Sequence, residues 1–446
     1  MKFKTEEELL EYTSKIVGKT FKEIDSEHLL DSASLTRQKG LLGHVVESGF
    51  YKYSINNVSK ADFEELDIEL KVTGYVKNKN GTLRAKERLV LSKIDYNQIV
   101  HETFETSHVL GKCRKMLIIW YEYDSEKEPK DFLITHFQLY DMTNDTKIFK
   151  NDFKIIKGKV LDGKAHELSE GDTSYLGACT KARTSKDRTT QPFSDILSKP
   201  RAYSLKNAYM TGILRENIDK SIVTTITSLK TVEEYVIDKL KPYFGKTQVK
   251  ILEEITGRKY EDKIPKNISK MISDELIGKD DELHKKDKIF AKTSFIIKNL
   301  PIQKNGKPRE RMSFKTISLS EFEEDWQDSF WKNYFEETKL IVICYQEVNG
   351  SKNGFRVLKD VMKITFNDND LDELEKTYNQ IKLAIEKKDV SLLPTSANGF
   401  KNQMLEIAPK GVKGDDAYNN FFKKDKTKVA FMISKKLLYE KLTNLS

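Results

Sequence analysis

Cysteine is scarce in this chain, and the features that mark secreted or membrane proteins are missing. Only Cys113, Cys179 and Cys344 occur in 446 residues, far apart and without a CxxC pair. Such a set argues against a disulfide framework and lacks the spacing of a zinc site, so we read all three as packing residues. No run approaches the roughly 20 apolar residues that a membrane span needs. The first segment, MKFKTEEELLEYTSKIVGK, has no apolar signal core. A soluble, cytoplasmic protein with no membrane partner is expected. A strong charge of either sign is also missing: 77 basic residues face 69 acidic ones, a net charge of +8. That excess is compatible with nucleic acid but does not by itself indicate it.

What the chain has is a copy of itself. EEELLEYTSKIVGKT ends at Gly18-Lys19-Thr20, and VEEYVIDKLKPYFGKT ends at Gly245-Lys246-Thr247, an offset of 227 residues. Lys71 and Lys298 keep that offset. Asn80-Gly81 with Lys86-Glu87-Arg88 then matches Asn305-Gly306 with Arg309-Glu310-Arg311, MLIIWYEY matches KLIVICYQE, and RAYSLKNAYMTGIL matches VAFMISKKLLYEKL. A repeat of this length exceeds any solenoid unit and implies two like domains. We expect them at residues 1–220 and 221–446, joined near 216–230. Each begins with an amphipathic helix, continues through short strand-like runs and closes on a helical run. The apolar runs LIIWYEY and LIVICYQ read as central strands. The predicted class is α/β, with two tandem domains, each a mixed central sheet flanked by helices, forming a pseudo-dimer in one chain.

The chemistry concentrates in ADFEELDIELKVTGY. Glu69 and Lys71 are two apart on a predicted strand and so share a face, while Leu70 points to the other. Asp62 precedes them by seven residues and can add a second carboxylate. Two carboxylates suit Mg²⁺, which takes oxygen ligands and keeps several waters. A lysine beside them can orient water or offset charge on a phosphate. Taken alone, the pattern is weak, and a solvated strand of alternating charge fits these three residues better.

The surrounding blocks narrow the reading. DFEELDIELK, the upstream GLLGHVVESGF, FETSHVLGK, and HELSEGDTSYLGACTKA followed by QPFSDILSKPRAYSLKNAYMTGILR stand in the order of one family. Over about residues 15–215 the chain resembles the MutH/Sau-type GATC endonucleases, a branch of the PD-(D/E)xK nucleases. The two-copy layout is similar to the restriction-enzyme subgroup. The resemblance implies a type II restriction endonuclease acting on double-stranded DNA at GATC with Mg²⁺, and self-association on DNA as a further partnership. It implies Asp62 and Glu69 as metal ligands, Lys71 as the catalytic lysine, Glu47 as an accessory acid, and Lys112 as a phosphate or support contact. His108 is read as a structural histidine. Thr180, Lys181, Arg183, Tyr203, Ser204 and Lys206 would contact DNA, within a basic loop at 180–188. Two other readings stay open: a repair-type nicking nuclease, and a DNA-binding regulator on a decayed nuclease fold.

The second copy lacks the chemistry. Glu69 is replaced by Ile296, and Asp62 falls loosely opposite Ile289, while Lys71 persists as Lys298. An aliphatic side chain cannot hold a metal. Basic tracts at 285–288, 303–311 and 423–428 remain, as does GFKNQMLEIAPKGVKG, which resembles the family's reading loop. We therefore expect a domain that binds DNA without cutting it.

Overall fold

The computed structural model describes residues 2–31, 40–53, 60–78, 81–181, 186–218, 231–260, 263–348, 352–400, 404–423 and 427–443. Most of the expected join, Arg183, and parts of the basic tracts and of the 399–414 segment lie outside the described residues. The chain forms two compact units, Met1–Val223 with Ala291–Thr293, and Thr224–Phe290 with Ser294–Ser446. No described helix is long and apolar enough to cross a membrane.

The first unit holds strands β1 (Ile68–Lys77), β2 (Leu83–Ala85), β3 (Leu89–Lys93), β4 (Lys115–Glu122), β5 (Leu133–Asp141), β6 (Leu176–Thr180), β7 (Thr189–Gln191), β8 (Ser194–Ser198) and β9 (Arg201–Leu205). The main sheet has the order β2-β1-β4-β5, with β1 parallel to β4 and the other pairs antiparallel. β4 runs inside this sheet and is buried from Met116 to Tyr121, as its unbroken apolar run requires. A second sheet, β3-β9-β6, is antiparallel, and β7 with β8 forms a separate ribbon. The expected mixed central sheet is present, and a second sheet and a ribbon accompany it.

One face of the main sheet is covered by the N-terminal helical layer. Leu9, Ile16, Phe21, Val45, Val46 and Tyr51 pack with Ile68, Leu70, Leu117 and Ile119. The leading helix, Glu6–Ser14, starts at Thr5, whose hydroxyl accepts the Glu8 N–H. Burying Ile68 and Leu70 on this side sends Glu69 and Lys71 to the opposite side, because successive strand residues alternate.

The second unit holds β10 (Phe295–Ile302), β11 (Met312–Thr316), β12 (Lys339–Gln346), β13 (Val357–Ile364), β14 (Leu405–Lys413) and β15 (Thr427–Ile433). Its sheets, β10-β12-β13 and β11-β15-β14, repeat the plan of β1-β4-β5 and β3-β9-β6. β10 runs parallel to β12, and β12 antiparallel to β13. The register repeats as well: Ile68 and Glu69 face Lys115 and Met116, and Phe295 and Ile296 face Lys339 and Leu340. Ile296 therefore holds the strand position of Glu69. The unit also has its own leading helix, Val232–Leu240, and closing helix, Lys435–Thr443.

Candidate active site

A tight reversal brings Asp62 to β1. The chain turns through Glu64–Leu66, and Asp67 takes a left-handed φ of 52°, a conformation that aspartate adopts more readily than most side chains. Phe63 then bridges Ile68. Asp62 comes alongside the strand, and its Oδ2 accepts the Leu70 N–H at 2.8 Å. Two residues seven apart in sequence become neighbours in this way.

Glu69 is 3% exposed. Its Oε1 accepts from Lys71 Nζ at 2.8 Å and lies 3.5 Å from Lys112 Nζ. Lys112 comes from the short helix His108–Cys113, whose N-terminus is capped by Ser107 Oγ accepting the Leu110 N–H. His108 is exposed at the head of that helix, and its backbone N–H donates to Glu102. Glu69 Oε2 is buried and has no hydrogen-bond partner among the described residues. A buried carboxylate oxygen left unpaired is costly, so this atom is poised for a ligand from outside the chain.

Glu47 completes the group. It lies on one turn of π-helix, Val45–Phe50, a local widening that recurs at functional sites. Burial, with the charges of Asp62 and Glu69 adding to it, pushes its carboxyl up to about 7, while Lys71 and Lys112 oppose the shift. Asp62 is raised for the same reasons, burial first and Glu69 second. For Lys71, burial works against the ammonium, but the Glu69 carboxylate and the neighbouring charges outweigh it and hold the lysine above its ordinary value. The five residues Glu47, Asp62, Glu69, Lys71 and Lys112 thus share one electrostatic cluster.

Among the described residues no three carboxylate, thiol or imidazole groups stand close enough to cage a metal by themselves. A Mg²⁺-type ion commonly takes one or two carboxylates and completes its shell with water and substrate phosphate. Two adjacent carboxylates with one orphaned oxygen fit that requirement.

The expected DNA contacts divide. Thr180 and Lys181 are exposed at the end of β6. Arg183 lies outside the described residues. Tyr203, Ser204 and Lys206, by contrast, are buried, at 2%, 0% and 0% exposed. Tyr203 stacks on Phe153. Lys206 Nζ donates to the Thr173 and Glu170 carbonyls and lies 3.5 Å from the Glu170 carboxylate. Tyr203 and Ser204 lie on β9, the middle strand of its sheet, and Lys206 follows it at the start of the helix Asn207–Asn217, so their side chains turn to partners inside the unit. Sequence reasoning also missed Glu170, a buried carboxylate that Arg88 approaches at 3.2 Å. Its signal was present in the SEGDTSYLG block, but its partners lie 82 and 36 residues away.

In the second unit, Ile296 packs against the core that contains Leu340 and Val342. Lys298, without a carboxylate at the position of Glu69, donates to the Ser313 carbonyl at 2.8 Å. Burial, and then the charge of Lys410, pushes it down to about 8.

The family model described as "DNA mismatch repair enzyme MutH" matches residues 51–152, a span that holds Asp62, Glu69, Lys71 and Lys112. The type II restriction enzyme Sau3AI of Staphylococcus aureus is 34% identical over 363 residues, covering 77% of this chain and 73% of the relative. The chain therefore belongs to the MutH/Sau3AI-like family of restriction endonucleases and is a site-specific DNA-hydrolysing enzyme.

Proposed function

We propose that the chain is a type II restriction endonuclease that makes Mg²⁺-dependent double-strand cuts at GATC, that the Glu69 cluster of the first unit performs the cut, and that the second unit binds DNA without cutting. The observation that carries this reading is the buried Glu69 carboxylate, paired on one oxygen by Lys71 and without a partner among the described residues on the other. GATC rests on the sequence resemblance of the first unit.

Enzymes of this family depend on a divalent metal, and Asp62 and Glu69 would hold it here, with Glu47 beside them. When bound, the ion lowers the cost of the negative charge that builds on the scissile phosphate. Lys71, already fixed by Glu69, presents its remaining N–H groups to the attacking water or to a phosphate oxygen. Lys112 supplies a second cation on the same side. In a buried setting these charges act more strongly than they would in water. In the second unit the position of Glu69 is aliphatic, which removes the first requirement for this arrangement.

Supercoiled plasmid incubated with and without Mg²⁺ tests the reading. Linear fragments that need the ion support it, nicked circles alone favour a repair-type nuclease, and binding without any cut favours a regulator.

A further inference from the structure

The ribbon β7–β8 carries large apolar side chains, at its turn and along β8, that no described residue of its unit covers. Phe193, Ile196 and Leu197 are 69%, 56% and 52% exposed. Three large apolar side chains on one short ribbon form the kind of surface that a soluble protein normally hides unless it binds something. The turn Gln191-Pro192-Phe193-Ser194 places Phe193 at φ 63°, where glycine is the usual residue. An aromatic there is strained and solvent-facing, so neither the turn nor the core accounts for its identity.

The ribbon is fixed at its turn and at its far end. Gln191 is buried, accepts the Ala165 N–H at 2.7 Å and donates to the Ile196 carbonyl at 2.5 Å. Gly163 lies so close that a Cβ there would stand 2.5 Å from the Phe193 carbonyl oxygen. Ser198, at the far end of β8, is buried and hydrogen-bonds to the Tyr96 hydroxyl. The turn therefore rests against Gly163 and Ala165, and the Phe193 side chain is left facing solvent.

The ribbon's surroundings are basic. The described residues from 181 to 199 include Lys181, Lys186, Arg188 and Lys199 against Asp187 and Asp195. The ribbon is also inserted between β6 and β9, inside the block that the sequence ties to DNA reading. A two-stranded ribbon fits a DNA groove, and exposed Phe, Ile and Leu side chains are the type that wedge against base steps. We propose that β7–β8 is a wedge that enters a groove of the bound duplex and packs Phe193 against its bases. This rests on the chain acting on duplex DNA.

The test uses the full-length enzyme and a duplex containing one GATC. Phe193→Ala keeps the turn equally strained but removes the ring. We expect its KM for duplex to rise at least about fivefold, with kcat within about twofold and an unchanged melting temperature. Phe193→Trp should restore the KM, and its emission should be quenched when duplex is added. The three native tryptophans, Trp120, Trp326 and Trp331, are all buried, so residue 193 gives the signal that moves. An unchanged KM for Phe193→Ala, or no quenching of the Phe193→Trp emission by duplex, overturns the proposal. Quenching that follows protein concentration without DNA also overturns it and marks a contact between copies. Failure of the wild type to cut duplex is a different result, because it strikes the endonuclease reading itself.

Discussion

Replacing Glu47 with glutamine should inactivate the enzyme and yet make the metal-free protein more stable. In the unfolded chain this carboxyl titrates near its ordinary 4.5, whereas in the fold it is pushed up to about 7 by burial and by Asp62 and Glu69. Ionised Glu47 therefore destabilises the folded state. The penalty is absent below about pH 4.5, grows between about 4.5 and 7, and is complete above. The full interval corresponds to roughly 3 kcal/mol. Glu47 is only half-buried, so solvent screening reduces this to about 1–2 kcal/mol. For a unit of this size that is a rise of roughly 3–6 °C in melting temperature. The assay is thermal unfolding of wild type and Glu47→Gln in excess EDTA at pH 8 and again near pH 4.5. The variant should melt higher at pH 8, the difference should vanish near pH 4.5, and Mg²⁺ should narrow the gap by stabilising wild type. A variant that melts at or below wild type at pH 8 would refute the claim that the fold holds these carboxylates against their own repulsion.

Asp62→Ala and Glu69→Ala should each lower the cleavage rate by at least about 100-fold, while gel shifts show duplex binding within a few-fold of wild type, since affinity comes mostly from phosphate contacts elsewhere. Activity assays with different ions should show cutting with Mg²⁺ or Mn²⁺, binding with little turnover with Ca²⁺, and none in EDTA; robust cutting in EDTA would defeat the assignment. Residues 231–446 expressed alone should fold, bind duplex in a salt-sensitive way and leave it intact; a gel shift without preference for GATC over scrambled duplex would reduce this unit to a scaffold. Asp152 is buried and its carboxylate accepts the N–H groups of Ser174, Tyr175 and Leu176. Asp152→Ala should cost about 3–5 kcal/mol by denaturant unfolding, and a loss below 1 kcal/mol would show that these donors find other partners.

What could be read from the sequence followed local period and the repeat. Alternation alone put Glu69 and Lys71 on one face and Leu70 on the other, and the 227-residue offset recurs as matching register in β1 and β10. The runs around Leu117 and Ile341 became the inner strands that their apolarity required. Long-range partnership was not readable. RAYSLK looks like an exposed polar segment, but Arg201 donates to the Ala178 carbonyl and Lys206 meets Glu170, so both cations have partners inside the unit. Local pattern carries no mark of a partner that far away. The turn that brings Asp62 to Leu70 was equally hidden, since it depends on one aspartate in a left-handed conformation.

Sequencing the ends of plasmid digested by the wild type, alongside Glu69→Ala, tests the central claim most directly. The account predicts breaks in both strands at every GATC and nowhere else for the wild type, and uncut plasmid for the variant. Ends at another sequence would contradict the GATC assignment, and undiminished cutting by Glu69→Ala would remove the buried carboxylate of β1 from the active centre.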